Sequence, residues 1–154
     1  MGNEVEFRLA IERDLERIVE MLADDKLGAT REQFELPLPE VYREAFRAIE
    51  ADPNNELVVA YLGNKVIGVQ QITFTPHLTR QGGWRATIEG VRTCSSVRGK
   101  GIGTALIKWV IQRAKDRGCL LTQLTTDKER KDAIRFYERL GFQASHEGMK
   151  LTLR

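Results

Sequence analysis

The chain reads as one α+β domain on a mixed sheet, and three observations predict it. Alternating apolar and polar residues, the mark of half-buried strands, gather in the middle of the chain between residues 57 and 94. Apolar residues at helical spacing fill four other stretches, two before that cluster and two after it. The second half alternates strand, helix, strand, helix, so antiparallel hairpins stand beside a parallel unit. A length of 154 residues suits one domain with its own core, spanning residues 1–154.

Taken in order, Val5, Phe7 and Leu9 alternate with Glu6 and Arg8 as a first strand. A helix starts at Arg13 or Asp14 and carries Leu15, Ile18, Val19 and Leu22 on one stripe. Residues 23–30 break the pattern and read as a loop. Pro37 and Pro39 precede a second helix with Tyr42, Phe46 and Ile49 inward, and Pro39 suits its first turn. Residues 57–62 and 66–74 form a hairpin turned by Gly63-Asn64. Residues 76–83 are a longer loop, and Trp84 to Cys94 is the next strand. Ile102, Ala105, Leu106, Trp109, Val110 and Ala114 give a broad helix face, closed by Arg117-Gly118. Leu120, Leu121 and Leu124 make a short buried strand. Ala133, Phe136, Tyr137 and Leu140 follow at helical spacing, with Gly141 closing the helix. One or two last strands are expected over 142–153, where Met149, Leu151 and Leu153 alternate.

Composition narrows the function classes. A formal net charge of +2, with both signs interspersed, argues against nucleic acid as the main partner. No apolar run approaches a membrane span, and the first residues do not read as a signal peptide. Gly2 invites a myristoylation reading, but Glu6 stands where Ser or Thr is expected. Cys94 and Cys119 lack metal-ligand spacing and point to a reducing cytoplasm, with Cys94 a packed thiol rather than a nucleophile. His77 and His146 are far apart, and no metal is expected.

The stretch that carries chemistry is Val97-Arg98-Gly99-Lys100-Gly101-Ile102-Gly103-Thr104. A strand precedes it and a helix follows. Helix N-termini expose unpaired N–H groups and a partial positive charge, and glycines let an anion approach them. A P-loop needs a Lys-Ser or Lys-Thr pair after its second glycine, which is missing here. A dinucleotide fingerprint needs a third glycine where this chain has Thr104 or Leu106. A plain helix start with no ligand is the competing reading.

Arg98-x-x-Gly101-x-Gly103 resembles the [Gln/Arg]-x-x-Gly-x-[Gly/Ala] signature of the GCN5-related N-acetyltransferases, the GNAT family. Residues 132–142, Asp-Ala-Ile-Arg-Phe-Tyr-Glu-Arg-Leu-Gly-Phe, resemble that family's closing motif. Residues 124–133 and 141–146 also look like its aminoalkylphosphonate N-acetyltransferases, which carries over a small amine rather than a phosphonate. The resemblance implies a GNAT fold, with a V-shaped splay between the fourth and fifth strands and about four flanking helices. It implies acetyl-coenzyme A as donor, a small-molecule amine as acceptor, and allows a homodimer. The backbone of Val91, Arg92 and Thr93 would pair with the pantetheine arm. Arg98, Gly99, Lys100, Gly101, Ile102, Gly103 and Thr104 would hold the pyrophosphate. Asp132 stands where many members carry a coenzyme-binding Asn; helix capping is its alternative.

Two residues are expected to do the chemistry. Glu89 is the general base, drawing a proton from the amine through water, with Ile88 and Val91 sheltering it; a surface Glu paired with Arg85 or Arg92 is the other reading. Glu147 and Asp127 are lesser candidates. Tyr137 is the acid that protonates the leaving thiolate, against a purely packing role. Residues 128–131 read as a solvated helix start that could flank the coenzyme's 3′-phosphate. Residues 24–40 are a candidate substrate lid or an ordinary loop. A peptide N-acetyltransferase and a coenzyme-binding sensor without turnover are the rival functions.

Overall fold

The computed structural model describes residues 4–154; the myristoylation reading at Gly2 lies outside the described residues. The chain falls into two compact units, Met1–Gln123 and Leu124–Arg154. The first holds nearly all of the sheet. Its strands are β1 (Glu6–Leu9), β2 (Asn55–Leu62), β3 (Lys65–Pro76), β4 (Trp84–Thr93) and β5 (Leu121–Leu124), side by side in that order. The first four are antiparallel neighbours and β4–β5 is parallel, so the sheet is mixed as the sequence predicts.

The helices are α1 (Leu15–Ala23), α2 (Gly28–Arg31), α3 (Glu40–Ala51), α4 (Thr79–Gly82), α5 (Ile102–Asp116) and α6 (Lys131–Arg139). The four helices read from periodicity are α1, α3, α5 and α6. The additional α2 and α4 are single turns of four residues inside stretches read as loops. Turns this short carry no apolar period to detect. Pro39 sits one position earlier than expected, at the N-cap of α3.

Strand pleat sends alternate residues to opposite faces, and both faces of β3 are covered: Val66 to Gln70 are all buried. One face meets α5. Gln70 donates to the Leu106 carbonyl at 2.9 Å, and the Arg117 guanidinium lies 4.0 Å over the Phe74 ring. Val58 is the register partner of Gln70 and shares that face, so Leu57 points the other way. There Leu57 packs with Leu15 and Val19 of α1 and Phe46 of α3.

The feature that shapes the site is a bulge. Val69 pairs with Arg92 and Gln71 with Glu89, so Gln70 stands opposite both Gly90 and Val91. Gly90 takes the extra residue at φ +62°, a conformation that L side chains rarely adopt. The chain of β4 changes direction there. Two bonds join the start of β4 to the β5 segment: Leu120 N–H donates to the Trp84 carbonyl and Gln123 to the Thr87 hydroxyl. With only four residues, β5 cannot follow the ten-residue β4 past its middle. Residues 90–93 therefore run on beyond it, where the splay was expected.

Two expectations are corrected. Leu120 lies outside β5 and is 52 % exposed, so the short strand is less buried than three leucines suggested. Among the described residues, 142–154 carry no strand. Met149, Leu151 and Leu153 do alternate, but they are 94, 84 and 90 % exposed. A period of two is necessary for a strand and does not supply a ladder partner. The second unit carries α6, whose Tyr137 ring meets Phe136 and Phe142 edge-on at 5.1 and 5.7 Å.

Candidate active site

The site is built where β4 leaves the sheet and α5 begins. The Cys94 N–H donates to the Ile67 carbonyl at 2.8 Å, the last ladder bond. A 3₁₀ turn over Ser95–Val97 then lifts the chain off the sheet. Gly99 and Gly101 both take positive φ, +80° and +81°. A Cβ on either would meet nothing within 4 Å, so glycine is required there by the backbone and not by space. Gly101 is the N-cap of α5, and no side chain caps that end. The first intrahelical bond runs from the Ala105 N–H to the Gly101 carbonyl. The N–H groups of Ile102, Gly103 and Thr104 precede it and have no partner within the helix. With exposed Lys100 beside them, they form a cradle suited to a pyrophosphate.

Arg98 points elsewhere than the phosphate rim. It donates to the Asp24 carbonyl at 2.8 Å, and the Asp24 carboxylate lies 3.9 Å away. Arg92 pairs through Nε with Asp25 at 3.0 Å and folds Nη1 back onto the Val91 carbonyl at 2.8 Å. Val91 and Thr93 are half-buried on the same stretch. Glu89 precedes the bulge and is exposed. The shelter expected from Ile88 and Val91 is not there, because Ile88 points into the core and Glu89, next along the pleat, points out.

Tyr137 and Asp132 lie in the second unit. Tyr137 is half-buried within its ring cluster. Asp132 is in the first turn of α6 and pairs with Arg135. Capping is not its role: Arg130 holds the N-cap position, and Asp127 accepts the Glu129 N–H in the preceding turn. Glu147 pairs with Lys128 at 3.5 Å on the surface. Among the described residues no group of three His, Cys, Asp or Glu is arranged to hold a metal ion.

Three features escaped the sequence reading. Gly90 was legible as an isolated glycine inside a strand pattern, the usual mark of a bulge. Asp24 and Asp25 gave no signal, since their arginine partners lie far along the chain. Cys94 is buried as expected, but it is not a plain packed thiol. Arg17 donates to its sulfur at 2.8 Å and the Ser96 hydroxyl lies 3.1 Å away. The Ser96 hydrogen bond, helped by the Arg17 charge, holds the thiol below its ordinary value against the opposing effect of burial.

Comparison with known proteins agrees with this geometry. The model of the acetyltransferase (GNAT) family matches residues 15–142. An aminoalkylphosphonate N-acetyltransferase of Salmonella typhimurium is 33 % identical over 107 residues, covering 70 % of this chain and 69 % of that one. A glucosamine 6-phosphate N-acetyltransferase of Trypanosoma brucei brucei is 33 % identical over 89 residues, 58 % of each chain. Among solved structures, one described as a transcriptional regulator from Bacillus halodurans is 61 % identical with a TM-score of 0.95, covering 97 % of this chain and all of that one. A Clostridium acetobutylicum acetyltransferase solved with acetyl-coenzyme A shares the fold at 22 % identity and a TM-score of 0.73, over 97 % of each chain. The glycine cradle at the start of α5 thus stands inside the 15–142 stretch that the family model matches: this protein belongs to the GNAT family, acyltransferases that take their acetyl group from acetyl-coenzyme A.

Proposed function

We propose that residues 1–154 act as one N-acetyltransferase domain that moves an acetyl group directly from acetyl-coenzyme A to the primary amine of a small molecule. The observation that carries this reading is the bulge at Gly90 followed by the cradle at α5. Past the bulge, Arg92 and Thr93 still pair with Val69 and Gly68 of β3, and an extended amide chain can pair with the other edge of this stretch as an added strand. Gly99 to Thr104 hold the pyrophosphate by backbone N–H groups, and Lys100 adds charge.

The amine nitrogen attacks the thioester carbonyl carbon, the carbon–sulfur bond breaks, and the amine loses a proton while the sulfur gains one. A backbone N–H of residues 91–93 holds the carbonyl oxygen as negative charge develops there. Glu89 takes the amine proton through water; its exposed position lets that proton pass to solvent. Tyr137 donates its hydroxyl proton to the departing thiolate. Asp132 accepts a hydrogen bond from the coenzyme arm. The small-amine acceptor is supported by the two curated relatives above, whose named acceptors are an aminoalkylphosphonate and glucosamine 6-phosphate. The free cysteines support a cytoplasmic setting.

A second reading has one observation behind it. The 61 % identical structure is described as a transcriptional regulator, which favours a coenzyme-binding module that senses rather than turns over. A thiol-release assay across small amines, amino sugars, aminoalkylphosphonates, polyamines and peptides separates these. Turnover of a small amine supports the proposal. Turnover of peptides alone makes this a protein acetyltransferase. Coenzyme binding without turnover of any acceptor supports the sensor.

A further inference from the structure

Two arginines lie in the stretch proposed to hold the coenzyme, and two neighbouring aspartates hold them, Asp25 by its carboxylate and Asp24 by its backbone carbonyl. The Arg92 Nε lies 3.0 Å from Asp25 Oδ2, with the two side chains 21 and 19 % exposed. Arg98 donates to the backbone carbonyl of Asp24, next door, at 2.8 Å. Asp25 also accepts the Gly28 N–H through Oδ1 at 2.5 Å, so one carboxylate fixes both the first turn of α2 and an arginine of β4. Arg92 in turn rests on the Val91 carbonyl, part of the backbone edge proposed for the pantetheine arm. The end of α1 meets the same place: a Cβ on Gly90 would lie 3.9 Å from Leu22 Cδ2. Residues 24–31 are therefore tied to the coenzyme strand and to the phosphate loop at two separate points.

We propose that Asp25 is a positioning residue: through Arg92 it couples coenzyme occupancy of β4 to the placing of residues 24–31, the wall of the acceptor side. The inference rests on the acetyltransferase reading above. An ion pair still touched by water is weak, because water screens it and two long side chains must be held still. A coenzyme lying along residues 91–104 excludes water from the pair and strengthens it. The α1–α2 connection then tightens when the donor is bound, and by linkage an acceptor that needs that wall in place binds better to the donor complex.

Backbone amide hydrogen exchange tests this without knowing the acceptor. Wild type, Asp25→Asn and Arg92→Gln are compared with and without saturating acetyl-coenzyme A. Asparagine still accepts the Gly28 N–H, so Asp25→Asn removes the charge and keeps the turn. In wild type, coenzyme is expected to slow exchange about tenfold both at residues 95–104 and at residues 24–31. In Asp25→Asn the protection at 95–104 remains and that at 24–31 is lost, Asp25→Glu recovers most of it, and Arg92→Gln, on the proposed coenzyme strand itself, also loses protection at 24–31. With an acceptor from the amine screen, Asp25→Asn raises the acceptor KM about tenfold and changes kcat less than threefold. Absence of protection at 95–104 in wild type refutes the coenzyme site itself. Protection at 95–104 with none at 24–31, faster exchange at 24–31, or protection there that survives in a folded variant overturns the coupling alone.

Discussion

Glu89 and Tyr137 differ in what the structure gives each of them. Glu89 is an exposed carboxylate one residue ahead of a strand bulge, and the residue before it, Ile88, belongs to the core. If it draws a proton from the amine, Glu89→Gln lowers the rate at neutral pH by about 10²–10⁴-fold, toward the low end when water relays the proton. Raising the pH recovers part of the loss, because more amine is then already neutral. A pH–rate profile parallel to wild type would return Glu89 to the surface. Tyr137 has its ring packed against Phe136 and Phe142, so Tyr137→Phe keeps the packing and costs at most the hydroxyl's own interaction, about 0.5–1.5 kcal/mol of stability. Protonating a departing thiolate matters mainly in the transition state, so kcat falls on the order of 10²-fold while coenzyme affinity holds. High pH does not restore it. Unchanged kcat would leave Tyr137 with its packing role only.

Elements are held in register by contacts the sequence does not announce, and the start of α1 shows one. Asp14 is 5 % exposed; it takes two hydrogen bonds from Arg8, at 2.6 and 3.1 Å, and one from the Ile11 N–H at 2.9 Å. Burial pushes its carboxyl up, but the Arg8 and Ile11 bonds outweigh that and hold it below the usual range. A carboxyl with a depressed folded value contributes stability above its unfolded value near ~3.9 and loses it as pH falls through the folded value. Wild type therefore loses this contribution below about pH 4. Asp14→Asn costs about 1–3 kcal/mol at neutral pH and shows a shallower acid loss, as urea melts from pH 7 to pH 2 would read. The Arg8 end is 32 % exposed, which trims the figure. Parallel stability curves for the two proteins would remove Asp14 from the account. The strands, the glycine turn and α5 were legible because each carries a local period or a local motif. The single turns α2 and α4 were not, nor were the pairs Arg17–Cys94 and Arg92–Asp25, since complementary residues 77 and 67 positions apart leave no local pattern.

At the scale of the molecule, the order of elements was readable and the family with it, because two motifs fall at the right places in a chain of the right pattern. The tail was misread for the opposite reason: alternation over 149–153 mimics a strand, and nothing local says whether a ladder partner exists. The acceptor was the least legible part, since residues 24–40, read as a substrate lid or an ordinary loop, offer composition rather than motif. The central claim is that the turn from β4 into α5 holds acetyl-coenzyme A, and calorimetry tests it most directly. Wild type is titrated with acetyl-coenzyme A at low and high salt, beside Gly101→Val and Gly103→Val, with circular dichroism to establish the fold of each. Val at Gly101 must take φ +81°, a strain of roughly 1–2 kcal/mol borne by the loop; Val at Gly103 puts a Cβ beside the first-turn amides. The account predicts binding to wild type that weakens as salt rises, because phosphates dominate the contact, and loss of binding in both folded variants. No binding to folded wild type, or wild-type affinity in both variants, would contradict it.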